Sequence, residues 1–182
     1  MKKEAVINMK NLLKIISGLG LLTVIIFTAC SPDEPGPIGA PDNRLEQVTG
    51  TWAITKVLQV DLNAESRGYP TIARTRDITN ILPAMSFEGV TFSFTSSNGE
   101  PNSFSIDRKN SPLVLPSSGS WAFDDVNYPS AITLTSGNST DILEIQSFSE
   151  IKAGSLVFKQ LRTDAGGDPY VRYEYYVTKT AE

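Results

Sequence analysis

The chain has no histidine and a single cysteine among its 182 residues. Without imidazole it lacks the usual proton carrier near neutral pH. Ser-His-Asp and Cys-His activation of a nucleophile are excluded, as are zinc sites of the His/Cys type. One thiol cannot form an internal disulfide. There is no block of like charge, and the balance is acidic, with 16 Lys and Arg against 20 Asp and Glu. Nucleic acid and anionic lipid are both recognised through basic patches, so neither is expected as a partner by charge. The apolar run Ile15 to Phe27 has 13 residues, well short of the about 20 needed to cross a bilayer as a helix. No glycine-rich phosphate loop precedes a helix, so nucleotide binding is not expected. No cofactor, metal or catalytic residue is expected, and the chain does not read as an enzyme.

The first 29 residues form one unit. Lys2, Lys3, Lys10 and Lys14 make a positive start, the short apolar run follows, and small residues precede Cys30. That order is what secretion machinery reads. Phe27-Thr28-Ala29-Cys30 resembles the lipobox of bacterial lipoproteins, with Phe27 where the family prefers Leu. The resemblance implies cleavage before Cys30, a diacylglycerol on its thiol and a fatty acyl chain such as palmitate on its freed amine. It further implies a protein held to the outer membrane by lipid, with the periplasmic or cell-surface face undecided. The competing reading is a plain secreted chain with a spare cysteine, or a signal anchor. Two or three acyl chains hold a protein firmly, where one does so marginally. Met9 to Cys30 already makes a whole signal of this kind, so Met9 is an alternative start to Met1.

Removing residues 1–29 takes away four lysines and Glu4, leaving 12 basic and 19 acidic residues. Residues 30–43 read as the lipidated cysteine and a tether, with Pro32, Pro35, Pro37 and Pro41 among glycines and acids. Asp33 and Glu34 resemble a surface-export mark of some displayed lipoproteins, or are ordinary linker acids. Residues 44–182 form the folded part, a normal single-domain length.

That part reads as all-β. Period-two alternation between Gly, Pro, Asn and Ser marks half-buried strands at Thr51 to Val60, Val90 to Thr95, Ser103 to Asp107, Trp121 to Phe123, Ala131 to Thr135, Ile142 to Phe148, Ser155 to Leu161 and Tyr170 to Thr178. Helix is expected only as a short piece at Leu45 to Val48 and a turn or two from Asp77 toward Met85, limited by Pro83. About eight consecutive strands favour an up-and-down antiparallel barrel or half-barrel, or a sandwich. A barrel of that size is filled by side chains or holds one small ligand.

Gly50-Thr51-Trp52 and Gly119-Ser120-Trp121 echo each other and hold both tryptophans. Gly50-Thr51-Trp52 resembles the first-strand Gly-x-Trp of lipocalins and lipocalin-like bacterial lipoproteins. The resemblance implies an antiparallel barrel with Trp52 closing one end, and a cavity for a ligand it does not name. The link from Asp61 to about Glu88 is longer than that plan provides, and is either a lid or an inserted arm. In the last strand Tyr173 and Tyr175 share a face, which either lines a site or shields a barrel wall. Trp52, Trp121, Tyr173 and Tyr175 are therefore the candidate ligand-binding residues. Asp124-Asp125 is a weak candidate for paired-carboxylate chemistry, since strand neighbours point to opposite faces. Asp164 to Asp168 lacks the spacing of a calcium loop and sits where a hairpin turn belongs. The functional expectation is a lipid-anchored envelope module that binds a small molecule or glycan. The alternative is an accessory subunit docking on an envelope protein.

If the lipobox reading holds, protein extracted from its own membrane has an intact mass that begins at Cys30 and carries two or more acyl chains. Cys30→Ser leaves the precursor uncleaved. A mature N-terminus other than Cys30 would refute the reading.

Overall fold

The computed structural model describes residues 42–81, 85–149 and 151–180. The expected export segment, the expected lipid-bearing Cys30 and the expected tether through Pro41 lie outside them. The chain runs α1 (Arg44–Val48), β1 (Gly50–Asp61), α2 (Leu62–Ser66), α3 (Thr71–Arg74), β2 (Thr75–Asp77), β3 (Thr91–Ser97), β4 (Glu100–Asp107), β5 (Ser118–Phe123), β6 (Ala131–Ser136), β7 (Ser139–Ile145), a 3-10 turn (Ile151–Ala153), β8 (Ser155–Thr163) and β9 (Pro169–Lys179). From β3 onward each strand pairs antiparallel with the next, and β9 returns to β1, closing an eight-stranded barrel. The ninth strand, β2, adds to β1. The eight strands read from alternation are the eight of the barrel.

Alternation selects the inward face. Phe92 and Phe94 of β3, Phe104 and Ile106 of β4, Ile132 and Leu134 of β6, and Leu156 and Phe158 of β8 are buried in one core. Ser and Thr dominate the outward positions of β3 and β4. Aromatic rings run through the interior. Trp121 meets Phe94 edge-on at 5.3 Å. Phe158 contacts both Phe92 and Phe94, and Tyr175 links Phe92 to Phe87. Each ring contributes roughly 4–6 kcal/mol of transfer free energy from its buried area.

One end of the barrel is closed by α1. Asn43 caps it by accepting from the Glu46 amide. Val48 is buried in the core, and the Trp52 indole N–H donates to the Val48 carbonyl at 2.8 Å. The Lys179 ammonium lies over the Trp52 ring and donates to the Gln47 carbonyl, a cation at the helix C-terminus. The five-residue helix read as a minor feature thus stoppers the barrel.

At the opposite end, hereafter the rim, β1 parts from β3. Only Gly50 to Ala53 pair with β3, while Leu58 to Val60 pair with β2. The segment between β2 and β3 fills the split. The Ile54 amide donates to Val90, the Val57 amide to the Thr79 hydroxyl, and the Ile78 amide to Val57. Ile78 and Phe87 are buried there. Of the two alternatives, a lid or an inserted arm, the described part of the link fits the inserted arm, packed against the wall. Of the helix expected from Asp77 only the cap-like contact is present: the Asp77 carboxylate accepts from the Thr79 amide and hydroxyl. Residues 78–81 do not continue into a helix. The two short helices of the link, α2 and α3, have no apolar periodicity of their own. An ion network fastens them outside β9: Arg172 forks onto Glu65 and reaches Glu174, and Arg74 reaches Glu65 at 3.0 Å. The Arg172 hydrogen bond leads in holding the Glu65 carboxyl below its ordinary pKa, against the effect of burial.

The two glycines of the Gly-x-Trp echo are required for different reasons. Gly50 has φ +122°, which side chains disfavour. Gly119 has no such φ, but a Cβ there would lie 2.0 Å from the Thr135 carbonyl oxygen and 2.9 Å from the Phe104 ring. Neither backbone nor a packed ring can yield cheaply. Gly119→Ala is expected to cost about 3 kcal/mol or more in urea unfolding. Gly99→Ala, at φ +80° in open space, is expected to cost only about 1 kcal/mol.

Candidate binding site

The rim gathers three concave features. The loop between β4 and β5 folds over it, burying Leu113 and Leu115. Beneath that loop a polar chain crosses the barrel interior. The Tyr175 hydroxyl donates to Gln160 Oε1 at 2.9 Å. Gln160 Nε2 donates to Asp141 Oδ1 at 3.2 Å and to the Val114 carbonyl at 3.3 Å. Both Tyr175 and Gln160 are 2 % exposed. Buried polar groups need such partners, and here each is tied to a different element. Burial pushes the Tyr175 phenol well up, with Tyr173 adding to the effect, so it remains a donor at any physiological pH.

The first feature is a socket of about 200 Å³ lined by Gln59, Ile78, Ile81, Phe87, Pro112, Val114, Tyr173 and Tyr175. Tyr173 and Tyr175 stack along one wall at 6.4 Å. Of its lining, Ile81 and Val114 are exposed. This volume is below the 300 Å³ or so of ligand pockets.

The second and third features lie on the neighbouring wall. β7 and β8 are registered only at Glu144↔Lys159 and Ile145↔Phe158, although β7 begins at Ser139 and β8 continues to Thr163. Toward the rim they diverge into a wedge of about 420 Å³ lined by Thr140, Asp141, Ile142, Glu144, Gln160, Leu161, Arg162 and Thr163. A cleft of about 420 Å³ continues from it under the β4–β5 loop, where Arg108 joins Asp141 and Arg162.

The structure brings Tyr173 and Tyr175 to one pocket and places the tryptophans elsewhere. Trp52 is fully buried at the α1 end. Trp121 is buried in the aromatic core, and its N–H donates to the Thr95 carbonyl at 2.8 Å. Gln160, Asp141 and the wedge escaped sequence reading, because they depend on how two strands diverge. The only available sign was Gln160 sharing a face with Leu156 and Phe158.

The acidic candidates serve loops. Asp124 follows the end of β5 and accepts from the amides of Ser130 and Ala131 and from the Ser130 hydroxyl. Burial opposes its charge, but these bonds prevail and bring its pKa to about 2. Asp125 accepts from the amides of Asn127 and Tyr128. Asp164 accepts from Gly166 and Asp168 in the β8–β9 turn. Among the described residues no group of three or more His, Cys, Asp or Glu is placed to hold a metal ion.

No protein-family model matches the chain, and no curated protein matches it.

The polar chain makes a prediction about stability. Tyr175→Phe leaves Gln160 Oε1 buried without its donor and is expected to cost about 1–3 kcal/mol in urea unfolding. Adding Gln160→Leu to Tyr175→Phe is expected to cost less than the sum of the two single changes. Additive effects would show that the two groups are not coupled.

Proposed function

We propose that the protein is a lipid-anchored lipoprotein of the cell envelope that docks on another envelope protein through the barrel rim. The observation that carries the docking part is the small apolar socket on a barrel whose interior is already filled. A recess of about 200 Å³ beside Tyr173 and Tyr175 suits one large side chain from a partner. Interfaces draw most of their energy from such buried anchors, with surrounding residues excluding water. Ile81 and Val114 supply exposed apolar surface at that recess. The anchoring part rests on the resemblance of Phe27 to Cys30 to a lipobox and on the proline-rich stretch that follows. On this reading the mature chain stands on a tether of about a dozen residues.

A second reading keeps the small ligand, favoured by the stacked Tyr173 and Tyr175 pair at the socket. It is confined to a group of monosaccharide size or less.

Native mass spectrometry of the mature protein, gently extracted from its own envelope, separates the two. Docking predicts a complex with a second protein chain that is lost in Val114→Asp, while the fold is retained by circular dichroism. A small molecule retained by wild type but not by Tyr173→Ala would favour the second reading. Bare protein in every preparation would contradict both.

A further inference from the structure

The wedge between β7 and β8 is a different surface from the socket, and its chemistry lies in the main chain. In an antiparallel ladder successive residues turn their N–H and C=O groups to opposite neighbours. The Gln146 amide donates to the Val157 carbonyl at 3.1 Å, so even-numbered residues of β7 face β8 and odd-numbered residues of β8 face β7. Odd-numbered residues of β7 face β6, in agreement with the two-residue turn joining Ser136 to Ser139. Beyond the Glu144↔Lys159 pair, the N–H and C=O groups of Thr140 and Ile142 on one side and Leu161 on the other therefore point into the wedge with no strand to receive them. Bare strand edges of this kind are templates for another strand, and proteins usually blunt them.

The two edges are not equal. The ladder behind β8 is irregular, because β9 carries an extra residue, Tyr170, opposite Arg162 and Thr163, whereas β7 keeps unbroken register with β6 from Ala131↔Glu144 to Ser136↔Ser139. A regular added strand belongs on β7. The wedge is also lined for one. Ile142 and Leu161 are 56 % and 41 % exposed on its outer lips. Arg108 and Arg162 stand toward the rim, in or beside the cleft, and neither has an ion-pair partner among the described residues. The buried Nε of Arg108 has no hydrogen-bond acceptor. Asp141 and Glu144 also line the wedge, but the Asp141 carboxylate is bonded to Gln160 and Glu144 lies deepest, next to the closed part of the ladder.

We propose that the β7 edge of this wedge accepts a short extended segment of a partner protein by strand addition, with an acidic residue of that segment meeting Arg108 and Arg162 where it crosses the rim. Main-chain bonds to Thr140 and Ile142 hold the segment, and an apolar side chain of it rests between Ile142 and Leu161. Recognition by backbone is tolerant of sequence, so a generic peptide tests it.

The test uses the full chain in detergent, with hydrogen exchange read residue by residue by NMR. In the free protein the amides of Thr140 and Ile142 exchange fast, while those of Asp141 and Leu143, bonded to β6, are slow. An acetylated peptide of alternating threonine and valine with one terminal glutamate, added at millimolar concentration, slows Thr140 and Ile142 by about tenfold or more. The same peptide N-methylated along one edge does not. Arg162→Gln weakens binding of the glutamate peptide several-fold and leaves its glutamine counterpart unchanged. Four results would overturn the proposal: Thr140 and Ile142 already slow in the free protein, no binding at millimolar peptide, equal binding of the N-methylated peptide, or protection falling instead around Ile81 and Phe87. The last would place the peptide in the socket and leave the docking reading standing.

Discussion

Six aromatic rings pack through the interior of this barrel, and the space they take decides where anything else can bind. Trp121, Phe94, Phe92, Phe158, Tyr175 and Phe87 form a chain of ring contacts, each between 5.3 and 6.4 Å. An eight-stranded barrel is just wide enough inside for side chains. With rings of this size at successive levels, the interior becomes a close-packed core. Alternating Ser and Thr on the outer face and apolar residues on the inner face then follow as the only arrangement that keeps these rings dry. A buried polar crossing, from Tyr175 through Gln160 to Asp141, sits where the packing meets the rim.

The concave surfaces described here are consequences of how the wall is closed around that filling. β1 pairs with β9 from Trp52 to Asp61, with one register shift, but divides its other edge between β3 and β2. The split is stopped by Ile78 and Phe87 from the link, and the socket forms where that stopper meets Pro112, Tyr173 and Tyr175. β7 and β8 make the opposite compromise. They pair near the α1 end and separate toward the rim, so the wall opens without exposing the core, because Asp141 and Gln160 bridge the floor. One end of the barrel is sealed by a helix and a lysine, and the other carries both recesses.

The strands could be read from the sequence because each has its own period-two pattern, and eight such patterns in succession leave few topologies. β2 could not. Thr75, Arg76 and Asp77 have no apolar alternation and become a strand only because β1 outruns β3. The helices of the link were equally hidden, being held by Arg172, Glu65 and Arg74 across more than a hundred residues of sequence. For the site, the shared face of Tyr173 and Tyr175 was visible from their spacing. The tryptophans looked equivalent in sequence, yet Trp52 stoppers an end and Trp121 joins the core. The wedge had no sequence signature at all, since β7 and β8 each carry an ordinary strand pattern and only their placement in the barrel parts them beyond Glu144 and Lys159.

The central claim is that the interior is filled and that binding belongs to the rim and wall. The pressure dependence of unfolding tests it most directly, because the volume lost on unfolding scales with internal voids. A filled barrel predicts a decrease within the ordinary range of about 20–100 mL/mol. A ligand-sized void of about 300 Å³ would add on the order of 100 mL/mol or more if eliminated on unfolding. A decrease well beyond the ordinary range would contradict the account and restore a cavity inside the barrel.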